Sequence, residues 1–161
     1  MIMRKKKRAI EDKALIEKLL LRCEALQLGL WDGEQPYVVT VNFGYADGAI
    51  YFHSAGEGRK LECIKKNGLA SFVAVAEHEL IRADKACGFS TYYKSVSGFG
   101  RAELLSDPQE KAKGLDAVMS HYGGPTGAYD DKVLARTAVV RIDVESMVGK
   151  VNPAFPGDPQ I

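Results

Sequence analysis

Two Asp-Gly dipeptides separate three runs of residues that favour β-strands, and this spacing is the feature that most constrains the fold. The runs are 28–32, 37–45 and 49–54, and the dipeptides are Asp32-Gly33 and Asp47-Gly48. Asp-Gly is typical of tight hairpin turns, because both residues tolerate positive φ. Strands joined by hairpins pair antiparallel, whereas strict alternation of strands and helices gives a parallel sheet. The sequence therefore predicts a mainly β fold with a mostly antiparallel sheet.

Periodic segments predict further elements around this meander. Apolar residues recur at helical spacing over 12–26, after Asp12 as a capping residue. Asp107-Pro108 begins a second helix that should run to about Tyr122, because Asp is a good cap and Pro suits the first helical position. The remaining predicted elements are helices over 59–67 and from about 130, and strands over 70–76, 79–83, 91–105 and 137–144.

The length and composition predict one domain. The chain has 161 residues, of which 46% are hydrophobic, which suffices for one core but not for two ordinary domains. We therefore predict a single domain over 1–161. Within it we expect residues 1–10 to be a basic N-terminal tail and residues 149–161, rich in Pro and Gly, to be an extended C-terminal tail. The apolar runs fall short of the roughly 20 residues that a membrane span needs, so no membrane association is expected.

Charge and cysteine content argue against several classes of function. The formal net charge is +1, and five positive charges lie together at residues 4–8. A solvated terminus explains this cluster better than nucleic-acid binding, because no aromatic residue is interleaved and the rest of the chain is acidic. Three cysteines without a C-x-x-C pair predict neither a disulfide framework nor a structural metal site. Free thiols fit a reducing compartment, so we expect a cytoplasmic protein.

The segment Tyr51-Phe52-His53-Ser54-Ala55-Gly56-Glu57-Gly58-Arg59-Lys60 is an apolar strand that runs through small residues into a basic helix start. Such a turn can hold a phosphate, because backbone N–H groups approach the anion and the helix adds the positive end of its dipole. Lys60 would add a full charge. A simple strand-to-helix connection would show the same pattern. The glycines match neither the dinucleotide fingerprint nor the P-loop.

Four segments, in this order along the chain, resemble one known superfamily. They are Pro36-Tyr37-Val38-Val39-Thr40-Val41-Asn42-Phe43, then 50–55 with Gly58-Arg59-Lys60-Leu61, then Tyr93-Lys94-Ser95-Val96 with 98–102, and finally 137–150. The chain resembles the flavin-binding split-barrel superfamily around pyridoxamine-phosphate oxidase, and within it the branch of 5-nitroimidazole resistance proteins. The resemblance implies a split β-barrel, FMN as the cofactor, and a homodimer with the cofactor at the subunit interface. It also implies an oxidoreductase of small molecules, with nitroaromatics as possible substrates.

The resemblance also implies roles for particular residues. Four groups would bind the cofactor: Thr40, Val41 and Asn42 beside the flavin ring; Phe52 and His53 at the strand end against the flavin; Ser54, Ala55, Gly58, Arg59 and Lys60 around the phosphate; and Tyr93 and Ser95 approaching the same phosphate. Arg59 or Lys60 would supply the countercharge, and His53 would be the catalytic residue. The residue patterns by themselves also allow roles without a ligand. Thr40 and Asn42 could face water, His53 could be structural, and Tyr93 with Ser95 could form a cross-strand polar ladder.

Other functions remain open from the sequence alone. Pyridoxamine-phosphate oxidation would need a second basic pocket, for which Arg101 and Arg136 are the weak candidates. A flavin- or haem-binding sensor without turnover is an alternative of another class, and the haem form would need His53 or His121 as an axial ligand. A deazaflavin would also suit the superfamily.

Overall fold

The computed structural model describes residues 8–127 and 129–152. Strands dominate, as predicted, and account for 47% of the residues that the structure describes. The strands are β1 (Ala9–Ile10), β2 (Leu26–Trp31), β3 (Pro36–Val41), β4 (Gly44–Ala46), β5 (Ala49–Ala55), β6 (Leu69–Ile81), β7 (Ser90–Leu104) and β8 (Thr137–Asn152). The helices are α1 (Lys13–Leu20), α2 (Arg59–Asn67), α3 (Pro108–His121) and α4 (Asp131–Arg136), with a short 3₁₀ helix at Ala86–Gly88.

All strand pairs among the described residues are antiparallel, which confirms the predicted sheet type. The strands follow the order β3-β2-β6-β7-β8-β5-β4, and β1 pairs with β8. The end strands β3 and β4 do not pair with each other in the described part of the chain. They are joined instead by Asn42 and Phe43, which we call the β3–β4 crossover. The sheet therefore curls towards a barrel that stays open at this crossover.

The core lies on the inner side of this curved sheet. Alternate residues of β2, β5 and β8 point into it, and helices α1 and α2 contribute Leu19, Leu20 and Leu61. Helix α3 covers the outer side of β4 and β5. There Gly44 allows close contact, because an added Cβ would lie 2.2 Å from the carbonyl oxygen of Ala117.

The helices whose ends are marked by capping residues in the sequence were predicted correctly. Helix α2 matches the predicted 59–67 and ends at Gly68, which has the left-handed φ of +64°. Helix α3 begins after Asp107, whose carboxylate accepts hydrogen bonds from two first-turn N–H groups. The prediction of a helix over 12–26 was too long. Helix α1 ends at Leu20, and the apolar spacing continues only because Leu26 belongs to the buried face of β2.

Both tails predicted from the sequence include residues that belong to the sheet. Ala9 and Ile10 form β1, which pairs with Gly149 and Lys150 of β8. Ile10 is buried, and β8 continues to Asn152 rather than ending near residue 144. Residues 1–7 and 153–161 of the predicted tails lie outside the described residues. The interpretation of 70–76 and 79–83 as two strands was also wrong, because β6 is continuous and carries a bulge between Val75 and Glu77.

Candidate functional site

The N-terminus of α2 has no side-chain cap. Gly58 occupies the N-cap position, and its carbonyl oxygen accepts hydrogen bonds from the N–H groups of Leu61 and Glu62 at 2.9 and 3.2 Å. The N–H groups of the two preceding helical residues have no acceptor within the helix. The other three α-helices of the described residues each begin at an aspartate whose side chain accepts from the first turn. The first turn of α2 is therefore open to an external anion.

The backbone of this turn is also accessible. Gly58 has a φ of +125°, a conformation that side chains disfavour, and no atom lies within 4 Å of the position that a Cβ would take. Ala55, Gly56 and Glu57 are exposed as well. A ligand can therefore approach the backbone of residues 54–60, which we call the anion turn.

The two cations of the anion turn differ in their surroundings. Arg59 Nη2 lies 2.5 Å from Asp32 Oδ2, so its charge is already paired. The N–H groups of Gln35 and Glu34, together with Arg59, hold the pKa of the Asp32 carboxyl well below its usual range, so this carboxylate stays ionised. Lys60 makes no ion pair with any described residue and is half-buried. Lys60, rather than Arg59, is the charge available for a ligand.

Ser54 has a buried hydroxyl group that no described residue satisfies. Its Oγ is shielded from solvent and has no hydrogen-bond partner. An unpaired buried hydroxyl typically costs about 1–3 kcal/mol, and ligands or ions often explain such groups. Ser54 precedes Gly58 by four residues, so the unsatisfied group belongs to the anion turn. Phe52 on the same strand is fully buried in the core, and its side chain is therefore a packing residue.

Strand β3 presents the polar face that the sequence predicted. Thr40 and Asn42 are exposed, whereas Tyr37 and Val39 pack against the core. Val41 is buried, so only its backbone is available to a ligand. Thr40 and Asn42 are thus accessible hydrogen-bonding groups at the end of β3.

An open apolar cleft of about 380 Å³ lies on the outer side of the sheet, next to β3. The cross-strand register places Gly29 and Ser71 side by side on its floor. These small residues leave a trough between bulkier neighbours. The larger side chains that line it are Trp31, Tyr37, Val38, Leu69 and Phe99.

His53 is exposed, but it lies on the other side of β5 from Ser54. Strand residues alternate, and His53 shares its side with Tyr51, which packs in the cluster that includes Val118 of α3. Ser54 shares its side with the core residue Phe52. The His53 imidazole is therefore accessible to a small molecule without being part of the buried wall of the anion turn.

The structure does not bring Tyr93 and Ser95 to the anion turn within one chain. Ser95 pairs with Lys150 near the end of β8, whereas Ala55 pairs with Thr137 at its start. These two partners are thirteen positions apart along β8, a path of about 43 Å along an extended strand. Sequence reasoning missed Lys150, whose Nζ lies 5.0 Å from the centre of the Tyr93 ring. The register that brings the two together is not visible in the sequence.

The comparisons with known proteins agree with this architecture. The model of the family described as pyridoxamine 5'-phosphate oxidase matches residues 12–151, a range that includes the anion turn, β3 and all of β8 except Asn152. The chain belongs to the pyridoxamine 5'-phosphate oxidase family. Among curated proteins, none gave a significant match.

Solved structures of similar fold include flavin-related members. A candidate 5-nitroimidazole antibiotic resistance protein from Bacteroides thetaiotaomicron VPI-5482 is 35% identical, with a TM-score of 0.79 over 89% of this chain and 86% of that chain. An FAD and haem binding protein from Mycobacterium smegmatis is 18% identical, with a TM-score of 0.82 over 94% and 77% of the two chains. A flavocytochrome from Azotobacter vinelandii is 23% identical, with a TM-score of 0.80 over 98% and 75%.

In this member of the pyridoxamine 5'-phosphate oxidase family, the anion turn lies next to the first residues of β3. The Arg59 guanidinium lies 4.8 Å from the centre of the Tyr37 ring, and Tyr37 also lines the apolar cleft. A ligand with an anionic end and a flat apolar part could therefore contact the anion turn and β3 together.

No helix among the described residues is long and apolar enough to cross a membrane.

Proposed function

We propose that this protein binds FMN and acts as an oxidoreductase on small molecules, with nitroaromatic compounds as the substrate class. The observation that carries the proposal is the uncapped N-terminus of α2, where Lys60 has no anionic partner among the described residues. An uncapped helix start with an unpaired lysine is suited to a phosphate monoester. The family membership supports a flavin as the molecule that carries this phosphate.

The residues of the anion turn would hold the phosphate. Lys60 would contribute a charge-assisted hydrogen bond, the first N–H groups of α2 would donate to phosphate oxygens, and Ser54 Oγ would gain the partner it lacks. Thr40 and Asn42 would offer hydrogen bonds to the polar edge of the flavin ring. The flavin would supply the electron-transfer chemistry when bound, while the protein binds and orients it.

The similar structures leave a choice between FMN and FAD. Three of them are named for FAD, but all three are less than 25% identical to this chain and inform only on the fold. We propose FMN because a single phosphate at a helix N-terminus accounts for Lys60, Ser54 and the open turn without a second basic group. Fluorescence titration of the flavin-free protein with FMN and with FAD tests this choice. If FAD binds more tightly than FMN, FAD is the cofactor and the choice of FMN is wrong. If neither flavin binds, the flavin proposal is refuted.

A homodimer would complete the site. Six large apolar side chains are exposed on the outer side of β2, β3, β6 and β7: Trp31, Val38, Leu69, Val73, Val75 and Phe99. An apolar surface of this kind is typical of an interface, and a second copy would cover it. A partner chain could also bring its own Tyr93 and Ser95 to the cofactor, which the single chain holds far along β8 from the anion turn.

The nitroaromatic substrate class is supported by the Bacteroides structure, which covers 89% of this chain at 35% identity. The exposed His53 is the group we propose to orient or protonate such a substrate. An imidazole can both donate and accept a proton or a hydrogen bond, which suits either role. Its accessibility on β5 allows a small molecule to reach it.

Two alternatives have less support. Pyridoxamine-phosphate oxidation needs a second phosphate pocket, but Arg101 already pairs with Glu145, with Nε and Oε1 3.4 Å apart. A haem site at His121 would need a free ring nitrogen. His121 Nε2 instead contacts the carbonyl oxygen of Cys23 at 2.8 Å, and Nδ1 is buried. His53 would remain as the accessible axial ligand for haem.

A further inference from the structure

The C-terminus of α3 holds two distant chain segments together through one hydroxyl. Tyr122 Oη donates a hydrogen bond to the carbonyl oxygen of Glu24 at 2.7 Å and accepts one from the N–H group of Phe43 at 3.2 Å. The neighbouring His121 donates from Nε2 to the carbonyl oxygen of Cys23 at 2.8 Å, since a carbonyl oxygen can only accept. Its ring also lies 4.5 Å from the ring of Phe43, between centroids. We call these contacts the α3 clasp.

The clasp acts at one end of the β2–β3 hairpin. Leu26, the first residue of β2, pairs with Val41, the last residue of β3. Glu24 lies just before the first of these strands, and Phe43 lies just after the second. Phe43 belongs to the β3–β4 crossover, where the sheet is open and no neighbouring strand of the described residues supplies an acceptor for its N–H group. Tyr122 replaces that missing ladder hydrogen bond and ties both strands to the same helix.

The exposed groups in and just before this crossover are the ones that we assign to the flavin ring. Asn42 immediately precedes Phe43, and Thr40 lies two residues before Asn42. A less constrained backbone at Phe43 would therefore also let the side chains of Asn42 and Thr40 move. The anion turn, by contrast, is fixed at β5 and α2 and does not depend on Tyr122.

We propose that Tyr122 is a positioning residue for the cofactor: its hydroxyl fixes the end of β3 so that Thr40 and Asn42 meet the flavin ring in one geometry. This inference rests on the proposed flavin-binding function. It assigns the positioning of the groups that contact the flavin ring to a residue outside the anion turn.

The test compares Tyr122→Phe with Tyr129→Phe. Both substitutions remove one phenol hydroxyl near α3, but Tyr129 donates to Asp116 Oδ1 at 2.9 Å and does not touch β3. Tyr122→Phe should raise the Kd for FMN by about three- to ten-fold, as expected for one or two hydrogen bonds. It should also shift the visible absorption bands of the bound flavin. Tyr129→Phe should change neither, even where both variants lose similar thermal stability.

Amide hydrogen exchange gives a readout that needs no flavin chemistry. In flavin-free protein, Tyr122→Phe should speed exchange at the Phe43 amide by about ten-fold or more, and Tyr129→Phe should not. In wild-type protein, saturating FMN should slow exchange at Asn42 and Phe43, because binding to an ordered β3 end favours the closed clasp. The wild-type measurement keeps the proposal testable if Tyr122→Phe does not fold.

The outcomes separate the two claims. Wild-type protein that binds neither FMN nor FAD refutes the flavin proposal, whatever the exchange rates are. Wild-type protein that binds FMN without slowing exchange at Asn42 and Phe43 refutes the positioning role alone. An unchanged Kd and spectrum in folded Tyr122→Phe would refute it as well.

Discussion

Replacing Lys60 by Ala should weaken FMN binding by roughly ten-fold to a hundred-fold. Lys60 is the cation of the anion turn that lacks an anionic partner among the described residues, because Arg59 is held by Asp32 at 2.5 Å. A hydrogen bond to a charged group contributes about 1.5–3 kcal/mol, and each 1.4 kcal/mol is ten-fold in affinity. The helix dipole and the first-turn N–H groups remain in the variant, so binding should weaken without disappearing.

Lys65→Ala is the matched control for this change. Lys65 is an exposed lysine in the last turn of the same helix, about 7.5 Å further along its axis. Its removal changes the net charge equally but takes no donor from the anion turn. At 0.15 M salt, screening over about 8 Å should limit its effect to less than two-fold. Equilibrium titration by flavin fluorescence measures both variants, and equal affinities for the two would refute the assignment of Lys60 to the phosphate.

Three further predictions concern the substrate, the interface and the anion turn. His53→Ala should slow reoxidation of the reduced protein by a 5-nitroimidazole while FMN stays bound, in anaerobic stopped-flow; equal rates would remove His53 from the mechanism. Phe99→Asp should convert a dimer to monomers in light scattering, whereas Phe89→Asp should not, although the two phenylalanines are 42% and 47% exposed; a wild-type monomer would refute the interface. Asp32→Asn should lower the melting temperature at pH 7, because a carboxyl whose pKa is depressed by folding adds stability above its unfolded value of about 3.9. That difference should shrink as the pH falls below about 4 towards the folded pKa, and a difference that stays constant from pH 7 to pH 3 would refute the coupling.

The parts of the fold with local signals could be predicted from the sequence. Helix α2 lies between Gly58 and Gly68, and both of its ends were correct because glycine marks the turn before it and the left-handed residue after it. Helix α3 begins at Asp107-Pro108 for a similar reason. The alternation in β3 correctly predicted that Thr40 and Asn42 lie on the face opposite the core, since strand side chains alternate whatever the tertiary structure is.

The parts that depend on register could not be predicted. The bulge between Val75 and Glu77 interrupts the alternation of β6, and the sequence therefore suggested two strands instead of one. The apolar cleft combines residues from five strands, and its position depends on how those strands pair. The large separation between Ser95 and the anion turn has the same origin, because it follows from the pairing of β8 with both β5 and β7.

The central claim, that this chain carries FMN, is tested most directly by what the purified protein contains. The absorption spectrum of the protein from cells grown with riboflavin should show the two visible bands of an oxidised flavin. Heat denaturation should then release a molecule that mass spectrometry identifies as FMN, in close to one equivalent per chain. A colourless protein that also fails to bind added FMN would contradict the account, and so would a released haem, deazaflavin or FAD.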